Sequence, residues 1–374
     1  STLACASTLS LPEIDIHADA DTDDPRVIEA STATRTSTPV RYVPQAIDSI
    51  KTENLKRYGV NSLGAALRGI PNVGDGSDTR FDALRIRGFD ASHDFYLDGV
   101  RDDSQYIRDL HNIERVDVLK GPAAVLYGRG SQGGIINRVS KVPQAGQRSS
   151  IEVQGGSEDL RSLYADLSAD PSDTLSLRLN IGNKDNNSFR EGVSGNRQLF
   201  APSINWQLSP DLNWLVQYQY NRYNRTPERG IPAVDGRPAD VSRSTSYGAE
   251  GDFTDDKAQS LRSKLAYELN DHWQLRHTLS VFKLHSQFDN TYLTGYNAAT
   301  REVSRQRWQQ DLTTRNVFNN IELEGTFDTL ALEHRVLTGV ETGSQRRAPT
   351  PYKAAASGAG SSAVPAPAIG RASW

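Results

Sequence analysis

From residue 149 onward, apolar and polar residues alternate along the chain. In LSLRLNI (175–181) leucine and isoleucine occupy one set of positions, while Ser176, Arg178 and Asn180 occupy the other. A period of two predicts β-strands with one apolar and one polar face. WLVQYQYN (214–221) shows the same period. It recurs in IEVQG (151–155), LYADLS (163–168), INWQL (204–208), LRSKLAYEL (261–269), WQLRHTLSVF (273–282), IELEGTF (321–327) and LALEHRV (330–336). The sequence therefore predicts about nine strands.

The connections between these strands differ in length. The turn signals PSDT, SPDLN and LNDH join some neighbours tightly, whereas 225–256 and 286–316 are long and polar and are predicted to be loops. Short turns that alternate with long loops are typical of an outer-membrane β-barrel, in which lipid contacts the apolar face. A soluble β-sandwich or jelly roll shows the same period and remains an alternative.

The part of the chain before residue 149 has a different character. Residues 39–146 contain short β-branched runs separated by Gly, Asp and Pro, and helices are predicted near 49–59 and from Ser62 onward. This pattern indicates a small α+β domain. Residues 1–38 are rich in Ala, Ser, Thr and Asp and are predicted to form a flexible arm. Within the arm, PEIDIHA (12–18) alternates as a short extended segment that would suit pairing with a partner's sheet edge.

Composition and hydropathy bear on whether the chain could cross a membrane with helices or with strands. The chain is 36% hydrophobic, with mean hydropathy −0.58 and a net charge of −4. It has no run of the roughly 18–20 consecutive apolar residues that a spanning helix needs. A helical membrane protein is therefore not expected. A membrane barrel remains possible, because the polar face of each strand lowers its mean hydropathy.

Gly128, Gly130 and Gly133 match the G-x-G-x-x-G pattern of dinucleotide-binding loops. Such a loop must leave a strand and open a helix, because the helix N-terminus receives the phosphates. Here IINRVSKVP follows, which is β-branched and ends at a proline, so no helix is expected. The glycines are predicted to be structural, and the protein is predicted not to be an enzyme.

Several motifs at fixed mutual spacing carry a resemblance to a known family. They are IRGF (86–89), FYLDGV (95–100), NIERVDVLKGP (112–122), LYG (126–128) and GGIINRVS (133–140). Over about residues 12–345 the chain resembles the TonB-dependent outer-membrane receptors, in particular their siderophore-receptor branch. The resemblance implies an α+β plug domain followed by an antiparallel transmembrane β-barrel, located in the outer membrane of a Gram-negative bacterium.

The resemblance also implies a function and partners. The expected function is binding and import of a ferric siderophore, driven by the TonB energy-coupling complex. Iron would enter only as part of the ligand, so no cofactor and no metal site of the protein's own are expected. A monomer in contact with outer-membrane lipid is expected, with no nucleic-acid partner. Haem or cobalamin as the substrate, and a non-transporting remnant whose plug folds as a soluble binding module, remain alternatives.

Three sets of site residues follow from the resemblance. The expected TonB box, which pairs as an added strand, is Glu13, Ile14, Asp15, Ile16, His17 and Ala18. The residues expected to lock the plug against charges of the barrel wall are Arg87, Glu114 and Arg115. The residues expected to contact ligand are Arg80, Phe81, His93, Tyr106 and Arg108, whose cationic and aromatic groups suit an anionic chelate. Each of these five ligand-contact candidates is equally compatible with a role in packing or with a position in a solvated loop.

The end of the sequence does not continue the strand pattern. Residues 346–374 are rich in Ala, Ser, Gly and Pro and do not alternate. A barrel that closes around a plug needs about 22 strands. We therefore expect an incomplete barrel over 149–345 and a low-complexity tail over 346–374, as a frameshift, a gene fragment or a fused tail would produce.

Overall fold

The computed structural model describes residues 29–350 and 364–365, except residues 37, 57, 61, 77–78, 129–131, 235, 298, 301 and 331. The first part of the described chain is a small mixed domain, which we call the plug. Its elements in chain order are β1 (Glu29–Ala30), β2 (Thr38–Pro39), a 3₁₀ helix (Val40–Tyr42), β3 (Ala46–Lys51), α1 (Thr52–Lys56), α2 (Leu63–Leu67), β4 (Val73–Asp75), β5 (Leu84–Ile86), β6 (Phe89–Asp90), β7 (Phe95–Leu97), β8 (Val100–Arg101), β9 (Ile113–Lys120), α3 (Ala124–Tyr127) and β10 (Gly134–Ser140).

The plug is organised around a five-stranded sheet with the order β3-β9-β10-β7-β8. The β7–β10 pair is parallel and the other pairs are antiparallel. Its main hydrophobic core gathers the sheet and α2, with Leu63, Leu67, Phe95, Ile113 and Ile136 fully buried. Burial of this apolar surface stabilises the plug and fixes the position of the loops that join its strands.

Both predicted helices of the plug are shorter than expected. Residues 49–51 belong to β3, whose register with β9 is continuous from Ala46 to Lys51, so α1 begins only at Thr52. Ser62 has the extended backbone of an N-cap residue before α2, but its side chain makes no capping hydrogen bond. Pairing in the sheet therefore overrides local helix propensity at residues 49–51.

The second part of the described chain is one antiparallel sheet, which we call the barrel wall. Its strands are β11 (Ser150–Gly155), β12 (Arg161–Ser172), β13 (Leu175–Asn187), β14 (Ser194–Ser209), β15 (Leu212–Arg225), β18 (Phe253–Asn270), β19 (Trp273–Asn297), β20 (Glu302–Thr329) and β21 (Leu332–Thr350). A hairpin of β16 (Ala233–Val234) and β17 (Arg237–Pro238) lies between β15 and β18, and β22 (Val364–Pro365) pairs with β20.

Burial in the barrel wall is the reverse of that in a soluble sheet. In β13 the polar Ser176, Arg178 and Asn180 are buried, while Ile181 is exposed. The polar face thus lies against the plug and the apolar face points outward. A soluble sandwich buries the apolar face instead, so this orientation excludes it and confirms the plug-and-barrel fold class. Among the described residues, no helix is long and apolar enough to cross a membrane.

The prediction of a loop over 286–316 is wrong. β19 continues to Asn297 and β20 begins at Glu302, and the two strands remain paired almost to their tips. Polar side chains lie on both faces here, with Phe288 and Trp308 among them, and the period of two disappears although the backbone ladder continues. In the described part of the chain, the outer edges of β11 and β21 do not pair with each other, so the wall is an open sheet.

Two glycines of the glycine-rich stretch have clear structural roles. A Cβ at Gly133 would overlap the carbonyl oxygen of Ile86, and one at Gly134 would overlap that of Leu119. Gly134 also has a φ of 149°, which L side chains rarely adopt. The backbone at the start of β10 therefore packs directly on β9 and on the end of β5.

We predict that Gly133→Ala destabilises the plug by about 1–3 kcal/mol, because an added methyl group forces the backbone of Ile86 to shift. The urea dependence of limited proteolysis, on the full chain in detergent, measures the change. Gly69→Ala is the matched control, since its Cβ would meet no atom within 4 Å. Equal midpoints for the two variants would contradict the close packing.

Candidate functional site

The two ends of the barrel wall differ in the length of the connections between strands. Short connections at 173–174, 210–211, 271–272 and 330–331 share one end, which we call the turn end. The longer connections at 188–193, 226–252 and 298–301 share the opposite end, which we call the loop end. Plug residues reach the loop end, where the Thr79 hydroxyl donates to the carbonyl of Glu228 and Arg225 donates to the carbonyl of Arg80.

A cationic and aromatic group of side chains lies at the loop end, and we call it the loop-end cluster. The guanidinium carbon of Arg80 lies 4.3 Å from the ring centroid of Trp308, 5.3 Å from that of Phe288 and 5.6 Å from that of Phe81. Phe288 and Trp308 pack edge to face at 5.2 Å and come from the facing strands β19 and β20. Such a group can bind a flat, anionic ligand through stacking and charge.

The sequence predicted two members of this cluster and missed the other two. Arg80 and Phe81 were expected to contact ligand, and the structure places them together at the loop end. Phe288 and Trp308 were missed because 286–316 was interpreted as a loop. Their signal was their aromatic character within an otherwise polar stretch.

Arg108 lies in the interior of the plug, and its predicted ligand contact stays a prediction. Its side chain is fully buried, with Nε 3.1 Å from Asp102 Oδ2 and a terminal nitrogen 3.4 Å from Asp82 Oδ2. Arg138, also fully buried, contacts the same Asp102 carboxylate. Charges this deeply buried require partners, and these groups supply them to one another. Arg108 therefore holds the plug together.

Tyr106 belongs to the same buried group. Its hydroxyl donates to Asp102 Oδ2 at 2.8 Å, and its ring packs on Leu284 and Phe282 of the wall. Burial, with the Asp102 charge adding to it, raises the pKa of Tyr106 above its usual value. The phenol is thus neutral at all physiological pH values and joins the plug to β19, and its predicted ligand contact stays a prediction.

His93 lines a cavity that contains no residue of the loop-end cluster. Its side chain is exposed, with Nδ1 3.2 Å from the carbonyl oxygen of Asp103. It lines a cavity of about 160 Å³ together with Gln105, Arg346 and Arg347. Its predicted ligand contact stays a prediction.

Three ion pairs join the plug to the wall, and their residues differ from the predicted lock residues. Asp98 contacts Arg262, Asp109 Oδ2 lies 3.4 Å from Arg197, and Lys141 Nζ lies 2.7 Å from Asp166. Five of the six groups are buried or nearly so, where an ion pair is screened little by water, whereas the Asp98 side chain is 25% exposed. These pairs fix the plug against the inward polar face of the wall.

The predicted lock residues have different environments. Arg87 and Glu114 are exposed, and in the described part of the chain neither forms an ion pair with the wall. Arg115 Nε lies 3.3 Å from Asp117 of the plug itself. The ion pairs described above between plug and wall are formed by Asp98, Asp109 and Lys141, and the lock role of the three predicted residues stays a prediction. Motif position predicted charged plug residues but could not predict which of them face the wall.

A histidine reinforces the Asp109 contact. His111 Nδ1 lies 2.8 Å from Asp109 Oδ1, and its ring stacks on Tyr164 of β12 at 3.4 Å between centroids. Burial alone raises the pKa of the Asp109 carboxyl, but His111 and then Arg197 together hold that pKa well below its usual value. Asp109 is thus ionised whenever the plug is folded near neutral pH. The predicted TonB box, residues 13–18, lies outside the described residues.

Residues 39–135 match the family model described as TonB-dependent Receptor Plug Domain. The chain belongs to the TonB-dependent receptors. It is 29% identical over 363 residues to the catecholate siderophore receptor Fiu of Escherichia coli (strain UTI89 / UPEC), a match that covers 86% of this chain and 48% of Fiu. It is 31% identical over 330 residues to the metal-pseudopaline receptor CntO of Pseudomonas aeruginosa (strain UCBPP-PA14), covering 84% of this chain and 46% of CntO.

Solved structures agree with this family membership. The crystal structure of the siderophore receptor PiuA from Acinetobacter baumannii matches with a TM-score of 0.81 and 26% identity, over 86% of this chain and 48% of PiuA. The chain spans about half the length of the curated relatives it matches. The family is one of receptors of the Gram-negative outer membrane, and this chain is assigned to that location.

We predict that Arg108→Met destabilises the plug by about 3–5 kcal/mol, because it leaves Asp102 and Asp82 buried with fewer cationic partners. Urea-dependent proteolysis of the full chain measures the loss. Arg68→Ala is the control, since the Arg68 side chain is exposed and its contact with Asp75 is 3.9 Å, which corresponds to at most about 1 kcal/mol. Unchanged stability of Arg108→Met would restore Arg108 as a candidate ligand contact.

Proposed function

We propose that this chain carries the ligand-binding plug and the adjoining wall of a receptor that binds ferric siderophores and imports them across the outer membrane. The observation that carries the proposal is the loop-end cluster, in which a plug arginine lies against two aromatic rings of the wall. The printed names of the relatives support it, since Fiu is a catecholate siderophore receptor and CntO a metal-pseudopaline receptor.

A ferric catecholate complex suits the loop-end cluster chemically. The complex carries negative charge on its oxygens and presents flat aromatic rings. Arg80 supplies a cation, and the Trp308 ring, 42% exposed, supplies a stacking face. Iron enters inside the ligand, and no bond of the ligand is made or broken by the protein. The protein acts as a receptor and transporter rather than as an enzyme, and it needs no cofactor of its own.

Import requires that the plug rearrange after the ligand binds. The ion pairs Asp98–Arg262, Asp109–Arg197 and Lys141–Asp166 hold the plug in place at rest. Energy from the TonB complex would be applied through the segment Glu13–Ala18, which pairs as an added strand with that partner. The exposed apolar face of the wall would contact outer-membrane lipid, and the receptor would act as a monomer.

We predict that Arg80→Ala weakens binding of the ferric complex of 2,3-dihydroxybenzoate about 5- to 30-fold, since a desolvated cation over aromatic rings contributes about 1–2 kcal/mol. Quenching of intrinsic Trp fluorescence in the full chain, in detergent, measures the affinity. Arg41→Ala is the control, because Arg41 also lies over an aromatic ring, that of Tyr42, but at an exposed position. Equal affinities for the two variants would contradict the proposed site. Tighter binding of haem or cobalamin than of the ferric complex would assign that compound as the substrate instead.

Deletion of residues 13–18 tests the coupling segment. We predict that the deleted chain binds the ferric complex with unchanged affinity but is no longer retained by the immobilised periplasmic domain of TonB. The reason is that the segment would supply the added strand but lies outside the loop-end cluster in sequence. Undiminished retention would assign the coupling to another part of the chain.

A further inference from the structure

A cavity of about 450 Å³ lies between the plug and the wall, toward the turn end. We call it the turn-end cavity. Wall residues from the turn-end halves of β18, β19 and β20 line it, among them Lys264, Arg276 and Glu322. The plug contributes Asp98 and the arm contributes residues 31–35. The loop-end cluster does not line it, so the molecule has two distinct candidate binding regions at opposite ends of the wall.

Cationic side chains outnumber acidic ones around this cavity. Five cationic side chains line it, namely Arg35, Arg115, Arg262, Lys264 and Arg276, against three acidic ones. A cleft lined by an excess of one charge concentrates ions of the opposite charge. The turn-end cavity is therefore suited to an anion.

Ion pairing occupies most of this positive charge and leaves that of Lys264. Arg262 contacts Asp98, and Arg115 contacts Asp117. Arg35 and Arg276 share Glu322 at 3.0 and 3.2 Å, and Arg276 also contacts Glu324 at 3.1 Å. Among the described residues, the Lys264 ammonium group takes part in no ion pair or hydrogen bond. The Nε of Arg276 is buried without a hydrogen-bond partner. These two donors, on neighbouring strands, are the groups that an anion in the cavity would satisfy.

A short segment of the arm, residues 31–36, covers the turn end of the cavity, and we call it the strap. Thr32 ties the strap to the plug, since its hydroxyl donates to Asp117 at 2.6 Å and its carbonyl accepts from Tyr127 at 2.6 Å. Arg35 ties the strap to the wall, with Nε 3.0 Å from Glu322 and its carbonyl accepting from Arg276 at 3.1 Å.

We propose that the turn-end cavity is a second binding site for anionic groups, with Lys264 and Arg276 as its donors, and that the strap closes it. The identification of its occupant as the anionic chelate on its way out of the barrel rests on the proposed function. Anion selectivity and closure belong to the cavity itself and do not require that function. The strap joins β1 to β2 and follows the proposed coupling segment in sequence, so displacement of the strap would open the cavity at the turn end.

Thiol labelling tests the anion selectivity without any iron complex. Thr278, which lines the cavity, is replaced by cysteine in a Cys5→Ser background. Its rates of reaction with sulfonatoethyl and trimethylammonioethyl methanethiosulfonate are then compared. Ser149→Cys, at an exposed position outside the cavity, gives the reference ratio. We expect the anionic reagent to be favoured at Thr278→Cys by about tenfold over the reference, and Lys264→Gln to reduce that preference about fivefold.

A charge-conserving variant separates selectivity from misfolding. Lys264→Arg should keep the anion preference that Lys264→Gln loses, whereas a misfolded chain would give the reference ratio in both variants. A wild-type ratio equal to the reference, or no change in Lys264→Gln, would overturn the anion site. That result would leave the Arg80 binding experiment unaffected, so the two proposals fail separately.

The strap is tested by a second substitution. Arg35→Ala removes the contact with Glu322 and should raise the labelling rates of Thr278→Cys with both reagents about tenfold, because closure excludes both. Arg41→Ala, six residues further along the chain at an exposed position, should leave both rates unchanged. Equal rates in the two variants would show that the strap does not close the cavity.

Discussion

Charge matching between the plug and the inward face of the barrel wall is the constraint on which this structure depends. The wall turns a polar face inward, so whatever fills its concave side must satisfy arginines and aspartates that water reaches poorly. The plug does so with Asp98, Asp109 and Lys141, each placed opposite a wall residue of opposite charge. Any movement of the plug must break these contacts and re-form them with water or other groups.

The same constraint separates residues that build the interface from residues that can bind ligand. Arg108 and Tyr106 carry the chemistry expected of a ligand site, yet their partners lie within the plug or at the wall, and both are buried. Arg80 has the same chemistry at the loop end and stacks on aromatic rings of which Trp308 is partly exposed. Burial, rather than residue type, assigns these side chains their roles.

Much of the architecture could be predicted from the sequence. Alternation predicts the strands, because a sheet whose apolar face points outward and whose polar face lies against the plug has a period of two. The glycine-rich stretch was correctly separated from a nucleotide site, since Gly133 and Gly134 permit close backbone packing. The ion pairs between plug and wall could not be predicted, because a pair such as Asp109–Arg197 joins residues far apart in sequence and a motif specifies only one partner.

The strands over residues 286–316 could not be predicted from the alternation of apolar and polar residues. Alternation reports a difference between the two faces of a sheet, so it disappears where polar side chains lie on both faces, even though β19 and β20 stay paired there. From Phe288 to Thr291 every residue is buried, so neither face is distinguished by exposure to water. The aromatic half of the loop-end cluster lies in this segment. It was missed because periodicity detects a strand only where its two faces lie in different environments.

Strand length has a consequence for where the ligand is first captured. A tilted strand needs only about 9–11 residues to cross a bilayer, whereas β19 has 25 and β20 has 28. Phe288 lies about fifteen residues beyond the turn-end start of β19, and Trp308 lies beside it on β20. The aromatic rings therefore lie on a hydrogen-bonded ribbon, farther from the turn end than one bilayer crossing requires. In the proposed receptor, this distance separates the first contact with the chelate from the part of the wall that crosses the membrane.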